Sequence, residues 1–214
     1  MNKFILDIEI PVANKQNVIY TCLLPSLKYL VPLKDEIRLL LNFNGACSNE
    51  DIEAVLKELE NYKFNYNYII KEYLFAAGEA DNLIIRRDTH NIVQNHAPYF
   101  LFFDDDILIT SYDYSKILLE IIDQMQKNLN IGMIQIDSLR PERKEKLYAL
   151  NPTWLVYTGN GIVFRNIEKW QDIIPKKYTV LKGRHIDELL VFSRYEINLQ
   201  AWTYWSNCAQ HKEL

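Results

Sequence analysis

Apolar stretches of strand length alternate along this chain with stretches of helical periodicity, and that alternation limits the available folds more than any other feature. "KFILDIEIPV" (Lys3–Val12) alternates Phe4, Leu6, Ile8 and Ile10 and reads as a strand. "NVIYTCLLPSLKYL" (Asn17–Leu30) has helical spacing at Tyr20, Leu23, Leu24 and Leu27, with Pro25 predicting a kink or a late start. "IRLLLNF" (Ile37–Phe43) is a second strand, closed by the turn pair Asn44-Gly45. Ser48 is placed to cap a helix whose Ile52, Val55, Leu56 and Leu59 share one face. "NYNYIIKEY" reads as a third strand, and "GEADNLIIRRDTHNIVQNH" as mostly helical, ended by Pro98 before the strand "YFLFF". A helix over Tyr114–Asn128 and a strand at "IGMIQID" follow. The order β-α-β-α-β-α-β-α-β predicts an α/β domain, with a mostly parallel central sheet flanked by helices.

The fourth strand poses the main chemical question. In "YFLFFDDDILIT" an unbroken apolar run, suited to a strand covered on both faces, leads into Asp104, Asp105 and Asp106. Adjacent carboxylates repel one another and partial burial adds to the cost, so a positive partner is expected. In open α/β sheets, ligands sit beyond the C-terminal ends of the central strands. Residues two apart project to one side, so Asp104 and Asp106 converge and Asp105 turns away. Hard carboxylate oxygens suit Mn²⁺ or Mg²⁺, which fill their remaining positions with water and phosphate oxygens. The other reading is an acidic turn capping the next helix.

Composition narrows the classes. At 214 residues the chain can bury one sizeable core without staples, and no linker or repeat divides it. A formal net charge of −4 gives no electrostatic reason to expect nucleic acid as a bulk partner. Cys22, Cys47 and Cys208 are far apart and form no C-x-x-C pair, so neither a disulfide framework nor a zinc site is indicated. The N-terminus lacks the pattern of a signal peptide, and no apolar run approaches the roughly 18 residues of a membrane span. A cytoplasmic location is expected.

With these residues in view, the chain resembles a GT-A fold glycosyltransferase over most of its length. In that family Asp-x-Asp holds Mn²⁺ or Mg²⁺ against the diphosphate of a nucleotide-sugar. The resemblance implies one domain over residues 1–214, with a nucleotide-sugar-binding half (1–110) and an acceptor-side half (111–214). It implies that Pro11, Val12 and Asn14 of "EIPVAN" meet the nucleobase, and that Asn42 or Asn44 of "NFNG" contacts the nucleoside. Asn82, Arg86 and Arg87 lie where the family often carries Ala-Arg-Asn; here the triplet is Arg86-Arg87-Asp88. A guanidinium there pairs with phosphate or uracil, or else the arginines are surface residues facing Glu79 or Asp81. Asp105 is implied on the donor side, between the metal ligands Asp104 and Asp106.

Two further matches lie in the second half. "TGNGIVFR" resembles the glycine-containing segment before the acceptor-side strand, placing Gly159, Asn160 and Gly161 near the ligand. "HIDELLVFSR" resembles the family's Glu-Asp followed by an arginine, with the acids exchanged: Asp187-Glu188, then Arg194. Glu188 then stands at the catalytic-base position with Asp187 before it, although the pair also reads as a helix N-cap and first turn. His211, near the end of "AWTYWSNCAQHKEL", is implied as a third metal ligand. The charged stretch "SLRPERKEKLYALNPT" (Ser138–Thr153) reads as a loop able to close over donor or acceptor.

The resemblance thus implies transfer of a sugar from a nucleotide-sugar, UDP-sugar being the commonest choice, to an unidentified glycan, lipid, protein or modified DNA base. A nucleotide-sugar-forming nucleotidyltransferase is the alternative of the same fold. Its Gly-rich loop after the first strand is missing, because that place reads "PVANKQNV". A non-catalytic binding domain is the third reading.

Overall fold

The computed structural model of the chain describes residues 3–13, 17–45, 47–71, 79–137, 146–149, 161–165 and 200–211. The strands are β1 (Leu6–Val12), β2 (Ile37–Asn44), β3 (Asn65–Lys71), β4 (Tyr99–Phe102), β5 (Ile107–Ile109), β6 (Ile131–Asp137), β7 (Lys146–Ala149), β8 (Ile162–Arg165), β9 (Gln200–Trp205) and β10 (Ala209–His211). The α-helices are α1 (Leu24–Leu30), α2 (Asn49–Tyr62), α3 (Glu79–His90) and α4 (Asp113–Lys127). Among the described residues, eight strands form one sheet in the order β3-β2-β1-β4-β8-β6-β9-β7. β1 runs parallel to both β2 and β4, β2 to β3, and β6 to β9. β8 is antiparallel to β4 and β6, and β7 to β9. The predicted α/β architecture is therefore the observed one, and β8 joins the later strands to the earlier ones through β4.

Local chemistry sets the helix boundaries. Ser48 caps α2 as expected: its hydroxyl accepts from Asp51 N (3.1 Å), and Ser48 N in turn donates to Asp51 Oδ2 (2.9 Å). Before α1 the chain makes a wide π-type turn over Ile19–Leu23, and Pro25 stands in the first turn of the helix proper. Of the kink or late start expected from Pro25, what forms is a helical run that is π-type before the proline and α-type from Leu24, because proline supplies no N–H to the preceding turn. α3 ends at His90, well before Pro98, the boundary expected from sequence. β7 corrects another expectation: Lys146–Ala149, inside the stretch read as loop, pairs with β9 at the sheet edge.

The two faces of the central strands differ in chemistry. Leu6, Ile8 and Ile10 of β1, with Leu39 and Leu41 of β2, pack into a continuous core with Leu27, Val55, Leu59 and Leu118 from α1, α2 and α4. The opposite face carries Asp7 and Glu9, both fully buried. Alternation in β1 therefore separates an aliphatic layer from a polar one, and both layers are covered.

Candidate functional site

The buried polar layer is built around Asp7. It faces Arg38 directly across the β1–β2 pairing, and the guanidinium donates two bonds of 2.9 Å to its carboxylate. Ala97 N donates a third at 2.9 Å, and His96 Nδ1 lies 3.5 Å away. Burial alone would raise the Asp7 pKa, but bonding to His96, Arg38 and Ala97 holds it below the ordinary 3.8. Two residues on, Glu9 bonds the His90 imidazole of α3, and the rings of His90 and His96 stack with centroids 3.8 Å apart.

His90 is itself mostly buried, which would lower its pKa; the bond and charge of Glu9, with the charge of Asp7, instead raise it above 6.5. A raised folded-state pKa gives stability that is complete below the unfolded value and lost as pH rises through the folded one. Urea unfolding should therefore show this contribution weakening as pH rises above 6.5 and through the higher folded-state value, and His90→Asn should remove that part of the slope. Identical pH slopes in the two proteins would show that the pair contributes nothing.

This layer holds α3 against β1 and β2. Asn42 assists: its amide nitrogen donates to Ile85 O (3.2 Å) and Thr89 Oγ1 (3.1 Å) of α3. The outcome is seen at Arg86. Its guanidinium lies 4.6 Å from the Phe102 ring centroid and forms an ion pair with Asp104. The positive partner demanded by the aspartates is thus an arginine on α3. Arg86 is buried, unlike the surface arginine of the alternative reading, while Arg87 is exposed. Arg86 Nη1 is buried and has no hydrogen-bond partner among the described residues.

The acids of the motif point different ways. Asp104 is partly exposed and meets Arg86. Asp105 is buried, and its Oδ2 accepts from Ala13 N at 2.7 Å, just beyond β1. Asp106 is partly exposed at the start of the turn into β5. From the other side, the Cys47 thiol donates to Val12 O at 3.2 Å. Burial, with the charges of Asp105 and Asp51, pushes that thiol up to about 12, so it stays a protonated donor at neutral pH.

The remaining candidates divide clearly. Pro11 and Val12 lie at the end of β1, and Asn44 ends β2, buried. Asn82 lies in α3, one turn before Arg86. His211 is brought to the motif by a pairing that sequence did not reveal: β10 runs antiparallel to β5, with His211 opposite Ile107, the residue after Asp106. Gly161 has φ +121°, and a Cβ there would stand 2.7 Å from Tyr114 Oη and 2.9 Å from Leu101 Cδ1. Packing against α4 and β4 is thus sufficient to require glycine. Asn14, Gly159, Asn160, Asp187, Glu188 and Arg194 lie outside the described residues, as do most of Ser138–Thr153 and the side chains of Asn82 and His211. Among the described residues no three His, Cys, Asp or Glu side chains are grouped to hold a metal ion, and no helix is long and apolar enough to cross a membrane.

Comparison with solved structures defines the fold class. The chain is similar to a mannosyltransferase from Pyrobaculum calidifontis, solved with GDP-Man and Mn²⁺, at TM-score 0.62 and 12% identity. That match covers 96% of this chain but 57% of the mannosyltransferase, so the chain spans little more than half its length. A nucleoside-diphosphate-sugar pyrophosphorylase from Vibrio cholerae RC9 matches at TM-score 0.57 and 10% identity, over 95% of this chain and 93% of that one. A UDP-glucose pyrophosphorylase complexed with UDP-glucose matches at TM-score 0.52 and 14% identity, over 94% and 90%. No protein-family model and no curated protein matches the sequence. The fold is GT-A-like, the α/β class shared by these nucleotide-sugar enzymes.

Proposed function

We propose that the chain is a metal-dependent glycosyltransferase, taking a sugar from a nucleotide-sugar to an acceptor hydroxyl. One observation carries this reading: Asp104 and Asp106 lie partly exposed just beyond the C-terminal end of β4, Asp104 paired with Arg86, and the backbone of His211 is registered opposite the neighbouring Ile107. Asp104 and Asp106 would hold a divalent cation through hard oxygen donors, with His211 as a third ligand. Bound there, Mn²⁺ or Mg²⁺ supplies charge stabilisation for the departing nucleoside diphosphate.

The chain's own residues would supply the rest. Pro11, Val12 and Asn14 border the base, and Asn44 the nucleoside. Arg86, with a buried N–H to spare, offers a second positive group to phosphate. Glu188, or Asp187 beside it, takes the proton of the acceptor hydroxyl as its oxygen attacks the anomeric carbon. The three free cysteines fit a reducing compartment, and we place the protein in the cytoplasm. A single domain over residues 1–214 is part of the same reading.

Titration calorimetry tests it. EDTA-treated protein should bind UDP or GDP only after Mn²⁺ is restored, and Asp106→Asn should lose that metal-dependent binding without losing the fold. Equal affinity with and without the ion would remove the metal from the scheme. The pyrophosphorylase reading is kept because two such enzymes match nearly end to end. It requires pyrophosphate release from a nucleoside triphosphate and a sugar 1-phosphate, whereas the transferase reading requires none.

A further inference from the structure

We propose that Asp105 is a positioning residue: its carboxylate sets the backbone at the end of β1, and so the nucleobase side of the site, relative to Asp104 and Asp106. The proposal rests on the donor-site reading above and adds how its two sides are held in register.

The geometry is specific. Asp105 is buried within a motif whose other two acids are partly exposed. Its 2.7 Å bond to Ala13 N spans 92 positions of sequence, and it is short enough for a charge-assisted bond. Val12, the preceding residue, is held through its carbonyl by Cys47. The backbone leaving β1 is therefore fixed from two sides, by a carboxylate on one and a thiol on the other. Phe103 N also donates to Glu9 O (3.0 Å), carrying the β1–β4 pairing up to the motif. Asp105 stands between the other two acids in one tight turn, closed by Ile107 N donating to Asp104 O (3.1 Å), so rotating that turn to release Asp105 would move the backbone of Asp104 and Asp106 as well. Removing Asp105 should then harm a ligand that reaches both sides, and spare one that sits on a single side.

That distinction is measurable with Mn²⁺ alone and with UDP or GDP in the presence of Mn²⁺. In Asp105→Ala the nucleotide affinity should fall about tenfold or more, while the affinity for Mn²⁺ alone stays near wild type. Asp105→Asn, which keeps an acceptor oxygen of the same size, should restore most of the loss. Ala13→Pro, which removes the N–H and leaves the carboxylate, should match Asp105→Ala, and the double variant should be no worse than either. Site-resolved exchange of the Ala13 amide should be slow in wild type and Asp105→Asn, and fast in Asp105→Ala. Ala13→Pro decides the matter if Asp105→Ala does not fold. Unchanged nucleotide affinity in the variants that lose the bond overturns the proposal, as does an equal loss of Mn²⁺ binding, which would make Asp105 a ligand. If wild-type protein binds neither nucleotide, the donor-site reading itself fails and the positioning role goes with it. Slow Ala13 exchange would then report a structural tie only.

Discussion

Asp7→Leu is expected to destabilise the protein by about 3–5 kcal/mol, the usual cost of removing one partner of a buried ion pair. Asp7 is fully buried and accepts from Arg38 and from Ala97 N. Without it the guanidinium keeps Asn95 O (2.8 Å) and the Phe4 ring (5.2 Å), but no opposite charge bonds to it among the described residues. Typical domains have about 5–15 kcal/mol in all, so this one change brings the fold near its limit. Replacing both partners, Asp7→Leu with Arg38→Leu, should cost much less than the two single changes added together, because neither charge is then left alone. Urea unfolding of the four proteins measures the coupling. A single-variant loss under about 1 kcal/mol would show that the pair is solvated in practice rather than buried.

The second large effect concerns turnover. Glu188→Gln keeps the shape of the side chain and removes the basic oxygen, so kcat should fall about 10²-fold or more, the scale of general-base catalysis. Donor affinity and melting temperature should scarcely move, because a base acts only while the proton is leaving. Asp187→Asn retains N-capping ability and should cost less if Asp187 mainly caps the helix. Near-normal turnover in Glu188→Gln with a dead Asp187→Asn would move the base to Asp187. Normal turnover in both would end the proposal that either acid takes the acceptor proton, and another base would have to be sought. Stability and kinetics thus separate the two roles that one pair of acids can play.

The elements themselves were legible because their causes are local. Ser48 caps α2 through a residue three positions away, and Pro25 delays α1 by lacking one N–H. The burial of "YFLF" follows from a run with no polar residue to face water. The strand in "KLYA" was missed because an edge strand in a charged stretch exists only through its partner β9. Most of the site was equally nonlocal. The motif announced itself as three adjacent acids, and the need for a cation followed from their repulsion. That the cation among the described residues is Arg86 depends on α3 being held against β1 and β2 by Asn42, Glu9 and His90. Asp7 and Glu9 look like the solvent side of an alternating strand, and a one-dimensional pattern can say no more. Their partners lie tens of residues away, and only the packed helix and the paired strand make an acid affordable there. His211 likewise had no visible partner until β10 paired with β5. The sequence by itself determined the α/β order, the Ser48 cap of α2 and the position of the acidic motif. Tertiary structure alone decided which charges meet, because a carboxylate's partner is set by distance in space and by the exclusion of water, and neither is written along the chain.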